Sequence, residues 1–472
     1  MRNSKIGALL RKAAALIAKF PLLAALPVYA WGVVWRAEHV YARHDPRTTV
    51  FSDMGMYVGI ARRLADPSYV MTKYDVTHPP ATSWLFAQFY QRDASFFELM
   101  LLQIVVASLI PLAVGWLAWA AFDKRSAAWA IALSSCYFYH VEFAGFFLAE
   151  IYMMLLIPAC MASYLVAASA AGRVRRVGFS MLAGVLFLIA VAFKTVAGPA
   201  LAGFFAVHWL FTSGSRKPRT LALAVMVVST LPGLALIGQR CTEANGGQFC
   251  LPSNKSAADF LLGHYDRVAS IQWTDATFGS PSALQHGYSS SPRVPFSITD
   301  HEQNMAAAWR WIDDHKLEAG VLSVQHVFDM FAPNAPWPTI WTAEWPIAQA
   351  QMYLFVMFLI WPSMLLLFDI GSVNGPLALL RSTELALASV LGGVSLGVFI
   401  ATGEPRYRLP FDCVFIVLGV QFYRRMLARH GWRLFRRAYR PGQMPAFGPE
   451  PLPIALARVN AAPARVNAAP RE

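Results

Sequence analysis

The chain has 472 residues, 56% of them apolar and 14% charged, with a formal net charge of +13. A soluble globular chain carries about a quarter charged residues, so the composition excludes that class. The Lys and Arg residues fall between and after apolar runs instead of along one stripe, which argues against a nucleic-acid surface and fits the orienting charges of a multi-span protein.

Apolar runs long enough to cross a bilayer need about 20 residues. Ten are read here, at 18–36, 96–122, 126–145, 150–171, 177–194, 196–212, 219–238, 347–368, 383–401 and 409–426. The fold class is therefore an all-α polytopic membrane protein. Every second loop is basic: Arg2, Lys5, Arg11, Lys12 and Lys19; Lys124 and Arg125; Arg173, Arg175 and Arg176; Arg216, Lys217 and Arg219; then the run at 424–437. Short cytoplasmic loops carry this bias. Both termini are thus expected in the cytoplasm and the acidic loops outside. The basic start and apolar run also resemble a signal peptide with a weak site at Val28-Tyr29-Ala30. The run continues to Trp35, so an uncleaved anchor is expected.

In chain order, the expected organisation is an N-terminal membrane core (1–238) whose first outer loop spans 37–95. An outer segment follows at 239–346, then C-terminal spans (347–426) and a basic tail (427–472). The first outer loop opens with FSDMGMYVGIARRLADP (51–67). Met54, Tyr57, Val58, Ala61 and Leu64 form one helical face, Ser52 or Asp53 suits the N-cap and Pro67 stops the helix. His78 lies in THPP (77–80), where the following proline keeps it out of helix. The outer segment contains a helix-like stretch near 300–318, proline punctuation at 289–297 and Cys241 and Cys250, whose spacing suits a disulfide in an oxidising compartment. Cys136, Cys160 and Cys413 sit in apolar runs as small packing residues. The tail carries the tandem copy ARVNAAP-ARVNAAP (457–470), whose composition reads as disordered.

The order SDMGMYVGIARRLADP, THPPATSWLF and, near the end, TGEPRYRLPFDCVFIVLG (402–419) resembles the GT-C superfamily of polyprenyl-phosphate-sugar glycosyltransferases, which includes protein O-mannosyltransferases and aminoarabinose transferases. The resemblance implies a GT-C-like fold with juxtamembrane helices in the first outer loop and a small outer subdomain. It further implies inverting transfer of a sugar from a polyprenyl-phosphate donor to an envelope lipid, glycan or protein, on the periplasmic face of an inner membrane. Asp53 matches the family's acidic position, so the resemblance makes it the general base; spacing alone makes it a helix cap. Glu150, in FFLAEIYMM (146–154), matches the second acidic position, with Glu142 as an alternative; helix-dipole stabilisation is its simpler reading.

Candidate phosphate ligands are His78, Lys194, Arg406 and Arg408. Lys194 interrupts an apolar run, where a charge is costly, unless it snorkels to the headgroups. Arg406 and Arg408 suit a phosphate clamp or anionic lipid. Arg62 and Arg63 read as a solvated face, and Glu404 as an ion-pair partner of Arg406. His264, Asp266, His286, His301, His315 and His326 show no metal-ligand spacing. Trp273, Tyr288, Trp309, Trp311, Trp337, Trp341 and Trp345 suit the interface or a sugar face. No nucleotide-binding motif is present, which fits a lipid-linked donor. The resemblance leaves open whether a divalent cation takes part. Two other functions use the same features: a transporter or flippase for lipid-linked sugars, and a non-catalytic scaffold.

Overall fold

The computed structural model describes residues 19–51, 53–264, 299–401 and 403–429, with the side chain of Trp341 excepted. The first basic cluster up to Lys12, Ser52, Asp266, Trp273, His286, Tyr288, the 289–297 punctuation and the tandem tail lie outside the described residues.

The described chain is a helical bundle. Six helices are long and apolar enough to cross a membrane: Phe97–Ala121, Glu150–Ser169, Arg173–Phe193, Arg216–Ala244, Trp345–Asn374 and Thr383–Ile400. The other expected spans correspond to helices that are shorter or more polar: Pro21–Glu38, Lys124–Cys136, Ala197–Phe211 and Asp412–Arg429. Several starts follow from local chemistry. Asp123 accepts the Ser126 amide at 2.8 Å to begin Lys124–Cys136, and Ser382 accepts the Leu385 amide at 3.1 Å to begin Thr383–Ile400. Both are side-chain N-caps.

The run expected to span 126–145 is broken. Its helix ends at Cys136, and residues 137–148 continue as a buried segment with short turns at Tyr139–Glu142 and Phe143–Gly145. The cause lies on the first helix. Arg36, wholly buried, donates to the carbonyls of Ser134 (3.2 Å), Ser135 (3.2 Å) and its own Gly32 (2.8 Å). A guanidinium there satisfies carbonyls that a continuing helix would otherwise use, and complements the negative end of the dipole.

Two of the places where the outer segment is stitched to the bundle are a disulfide and a pair of close backbone approaches. Cys241, in the last turn of Arg216–Ala244, is bonded to Cys250, and the pair packs against Met71 and Val76 of the first outer loop. Helices Ser256–Gly263 and Lys316–Phe331 close on the loop after Ile400. A Cβ on Gly263 would stand 1.6 Å from the Ala401 carbonyl oxygen, and one on Gly403 would stand 2.0 Å from that of His326. Only glycine permits these backbone approaches, and they fix the position of Glu404 and Arg406.

Candidate active site

We label α1 as Asp53–Leu64, α2 as Glu150–Ser169 and α3 as Ser256–Gly263. Asp53 is the first residue of α1, and the amides of Met54 and Gly55 bond to the Phe51 carbonyl. The buried face of α1 (Met54, Tyr57, Val58, Ile60, Ala61) seats the helix on the bundle and holds Asp53 at its edge. The following loop is fastened by Asp75, which accepts from Arg63 (2.6 Å), Tyr69 (2.7 Å) and the Thr72 amide (2.8 Å). Arg62 and Arg63 are both exposed, as a solvated face requires, and Arg63 has Asp75 as a partner in addition. His78 follows, buried, with Nε2 at 3.4 Å from the Met56 sulfur and its ring 4.9 Å from that of Tyr57.

Arg406 joins these parts. Its Nη1 donates to Asp53 Oδ2 at 3.1 Å, and its Nε lies 3.4 Å from Glu150 Oε1 and 3.6 Å from Glu404 Oε2. The guanidinium stacks over Trp337 at 4.4 Å, and the Trp337 amide donates to Glu404 Oε1 at 3.1 Å. Glu150 opens α2 fully buried and receives the ammonium of Lys194, which leaves the end of Arg173–Phe193 and lies 5.0 Å from the Tyr407 ring. Four chain segments thus deliver Asp53, His78, Glu150, Lys194, Glu404 and Arg406 to one end of the bundle.

The sequence reading missed two members. Lys255 and Asp259 stand at either end of one turn at the start of α3, with Nζ 3.5 Å from Oδ1. The Lys255 charge acts on Asp53, His78, Arg406 and Tyr407. The i,i+4 Lys–Asp spacing was the available signal, but such pairs are common on solvated helices.

Two candidates fall elsewhere. Arg408 is fully buried and gives its donors to Asp412 (2.8 Å), the Met330 carbonyl (3.1 Å) and the Met352 sulfur (2.9 Å). Asp412 in turn accepts from Tyr137 at 2.6 Å. Glu142 faces His39, Nε2 to Oε2 3.0 Å, and accepts from Thr342 at 3.3 Å. Of the two acidic alternatives, Glu150 is the one beside Arg406 and Lys194.

The electrostatics are uneven. Burial pushes the Asp53 carboxyl up, but Lys255, Arg406 and Lys194 outweigh it and hold the group well below the usual carboxylate range. Burial, with Lys255 adding to it, pushes His78 down to about 3, so its imidazole is neutral and offers a hydrogen bond without charge. Burial lifts Glu404 to about 7 even against Arg406 and Lys194. Among the described residues no three His, Cys, Asp or Glu side chains are placed to hold a metal ion. The carboxylates of Asp53, Glu150 and Glu404 are paired with Arg406 or Lys194, a donor set satisfied by organic cations.

No family model and no curated protein matches the sequence. Among solved structures, the archaeal oligosaccharyltransferase AglB from Archaeoglobus fulgidus, in complex with an inhibitory peptide and a dolichol-phosphate, is similar with a TM-score of 0.50 at 14% identity, over 89% of this chain and 52% of that one. The apo form of the Archaeoglobus fulgidus enzyme gives 0.49 at 13% identity, over 88% and 52%. ArnT from Cupriavidus metallidurans in the apo state gives 0.34 at 15%, over 89% and 79%. The chain spans about half the length of the oligosaccharyltransferase structures it matches. The described residues are all-helical, and their fold is GT-C-like.

Proposed function

We propose that the protein is a membrane glycosyltransferase that moves a sugar from a polyprenyl-phosphate donor to an envelope acceptor. The observation that carries this reading is the meeting of Asp53 with Arg406, flanked by Glu150 and Lys194, at one end of the bundle. An acceptor hydroxyl attacking an anomeric carbon needs a carboxylate to take its proton, and the departing phosphate needs cations and donors. Asp53 supplies the first. Arg406, Lys194 and neutral His78 supply the second, with Glu150 orienting Lys194 and Arg406. The periplasmic side suits the topology set by the basic loops.

The substrate-free charge balance suggests an order of events. With its cations facing it, Asp53 is a weak base. A donor phosphate that draws those cations to itself relieves Asp53 of them, and its proton affinity rises. The base is thus strengthened when the leaving group is seated. Proton transfer to Asp53 accompanies attack, and the bond from anomeric carbon to phosphate oxygen breaks with inversion. Mass spectrometry of envelope glycans and lipids from cells with and without the gene tests the reading. Loss of one glycosylated product is expected; unchanged products contradict it.

A further inference from the structure

Among the described residues three cations act on Asp53, and they differ in how firmly they are held. Arg406 lies among three carboxylates, Asp53, Glu150 and Glu404, and over the Trp337 ring. Lys194 is drawn tightly onto the wholly buried Glu150. Lys255 is different. Its ion-pair partner among the described residues is Asp259, at 3.5 Å, and the two side chains remain 23% and 32% exposed. This contact is longer than a charge-assisted hydrogen bond of about 2.7–2.9 Å, whereas Arg406 and Lys194 each make a closer one, so Lys255 is the cation most easily turned to an incoming anion.

Its position is nevertheless fixed from the backbone. Asn254, the preceding residue, is buried; its amide donates to the Val76 carbonyl at 2.9 Å, two residues before His78. Its Nδ2 donates to the Lys73 carbonyl at 3.1 Å and to Asn245 Oδ1 at 2.9 Å, inside the loop closed by Cys241 and Cys250. One side chain thereby holds the outer segment, the disulfide loop and the first outer loop together, and sets where Lys255 begins.

We propose that Lys255 is a phosphate-binding cation of this site, carried in by the outer segment, and that Asp259 is the counter-ion it exchanges for the phosphate of the lipid-linked donor. The assignment rests on the glycosyltransferase reading and deepens it. It makes the outer segment part of donor recognition, and it gives the two members of one pair opposite effects. Removing Lys255 removes an attraction for the anion, whereas removing the Asp259 charge frees Lys255 and strengthens it.

The test is binding of a polyprenyl monophosphate to the full chain in lipid nanodiscs, with inorganic phosphate as a second arm. Charge-assisted hydrogen bonds contribute about 1.5–3 kcal/mol, and 1.4 kcal/mol is about tenfold. Lys255→Gln should therefore weaken the lipid phosphate about tenfold, while Lys255→Arg stays within a few-fold of wild type. Asp259→Asn should tighten it about threefold, a direction that simple loss of a structural ion pair does not produce. Competition by inorganic phosphate shows that the headgroup alone is recognised; its absence shows that the lipid chain is also required, and either result agrees with the assignment if the variants behave as stated. Wild-type binding undiminished in Lys255→Gln, or weakened in Asp259→Asn, overturns the proposal and leaves the glycosyltransferase reading standing. No binding of the lipid phosphate by wild type removes both.

Discussion

Arg406 and Asp53 are 353 residues apart in the chain and 3.1 Å apart in space. The contact closes the bundle on itself, because α1 begins at one partner and the other precedes the last helix. Asp53→Asn keeps the shape and removes the charge. It should lower turnover about 100-fold or more, the range for loss of a general base. Removing a carboxylate beside Arg406 should not raise the donor KM. Steady-state kinetics at matched membrane insertion check both, and a raised KM with unchanged kcat would make Asp53 a binding residue instead.

Glu404 predicts a pH dependence. Burial raises it to about 7, with Arg406 and Lys194 pulling against that rise and Glu150 adding to it. On the proposed function, donor phosphate that recruits Arg406 takes away the partner favouring the ionised form, so Glu404 should gain a proton when donor binds. Donor affinity is then greatest below pH 7 and declines as pH rises through about 7. The same raised value makes folded-state stability decline between the unfolded value near 4.5 and about 7. Glu404→Gln should flatten the donor KM profile over pH 6–8, read by KM measurements at about half-unit steps.

Arg408 and Asp412 form a fully buried pair away from the cluster. Arg408→Met leaves an uncompensated carboxylate and should cost about 3–5 kcal/mol of stability, seen as a lowered thermal midpoint in detergent. The double variant with Asp412→Leu should recover much of that loss. In the folded fraction the donor KM should match wild type; a raised KM would return Arg408 to the phosphate site.

Arg36 has carbonyls as its hydrogen-bond acceptors, at Gly32, Ser134 and Ser135. Arg36→Met takes a donor from each; Ser134 keeps the Tyr137 amide at 3.4 Å and Gly32 lies within its helix, so the loss centres on the Ser135 carbonyl and should cost about 1–3 kcal/mol. Thermal unfolding should shift down markedly, with kcat of the surviving folded protein unchanged. A stability change near zero would mean that the broken helix does not depend on this side chain.

The disulfide makes a separate prediction. Closing a loop of this size contributes about 2–3 kcal/mol by chain entropy, and Cys241 and Cys250 also back the Val76 segment that leads to His78. Replacing both cysteines by Ser should lower the melting temperature and raise the donor KM more than it lowers kcat.

Much of the site was legible because charge in an apolar context is conspicuous. Asp53 at a helix start, His78 before two prolines, Glu150, Lys194 and Arg406 each interrupt or border apolar runs, and the fold brings them together. Lys255 and Asp259 were hidden because an i,i+4 ion pair at the start of a short outer helix reads as an ordinary surface pair. Arg408 was misleading for the opposite reason: its place near Arg406 in RYR says nothing about direction, and two residues further along a helical turn it points to Asp412. The break after Cys136 had no proline or glycine to mark it; its cause is Arg36, 98 and 99 residues earlier. Local pattern reports periodicity and cost, and tertiary partners decide the rest.

The most direct test of the account is a transfer assay with purified protein in liposomes, supplied with labelled polyprenyl-phosphate sugars and envelope extract. Wild type should release free polyprenyl phosphate and label an acceptor, and Asp53→Asn should do neither while still binding polyprenyl phosphate. Equal transfer by the two proteins would contradict the assignment of Asp53 as the base.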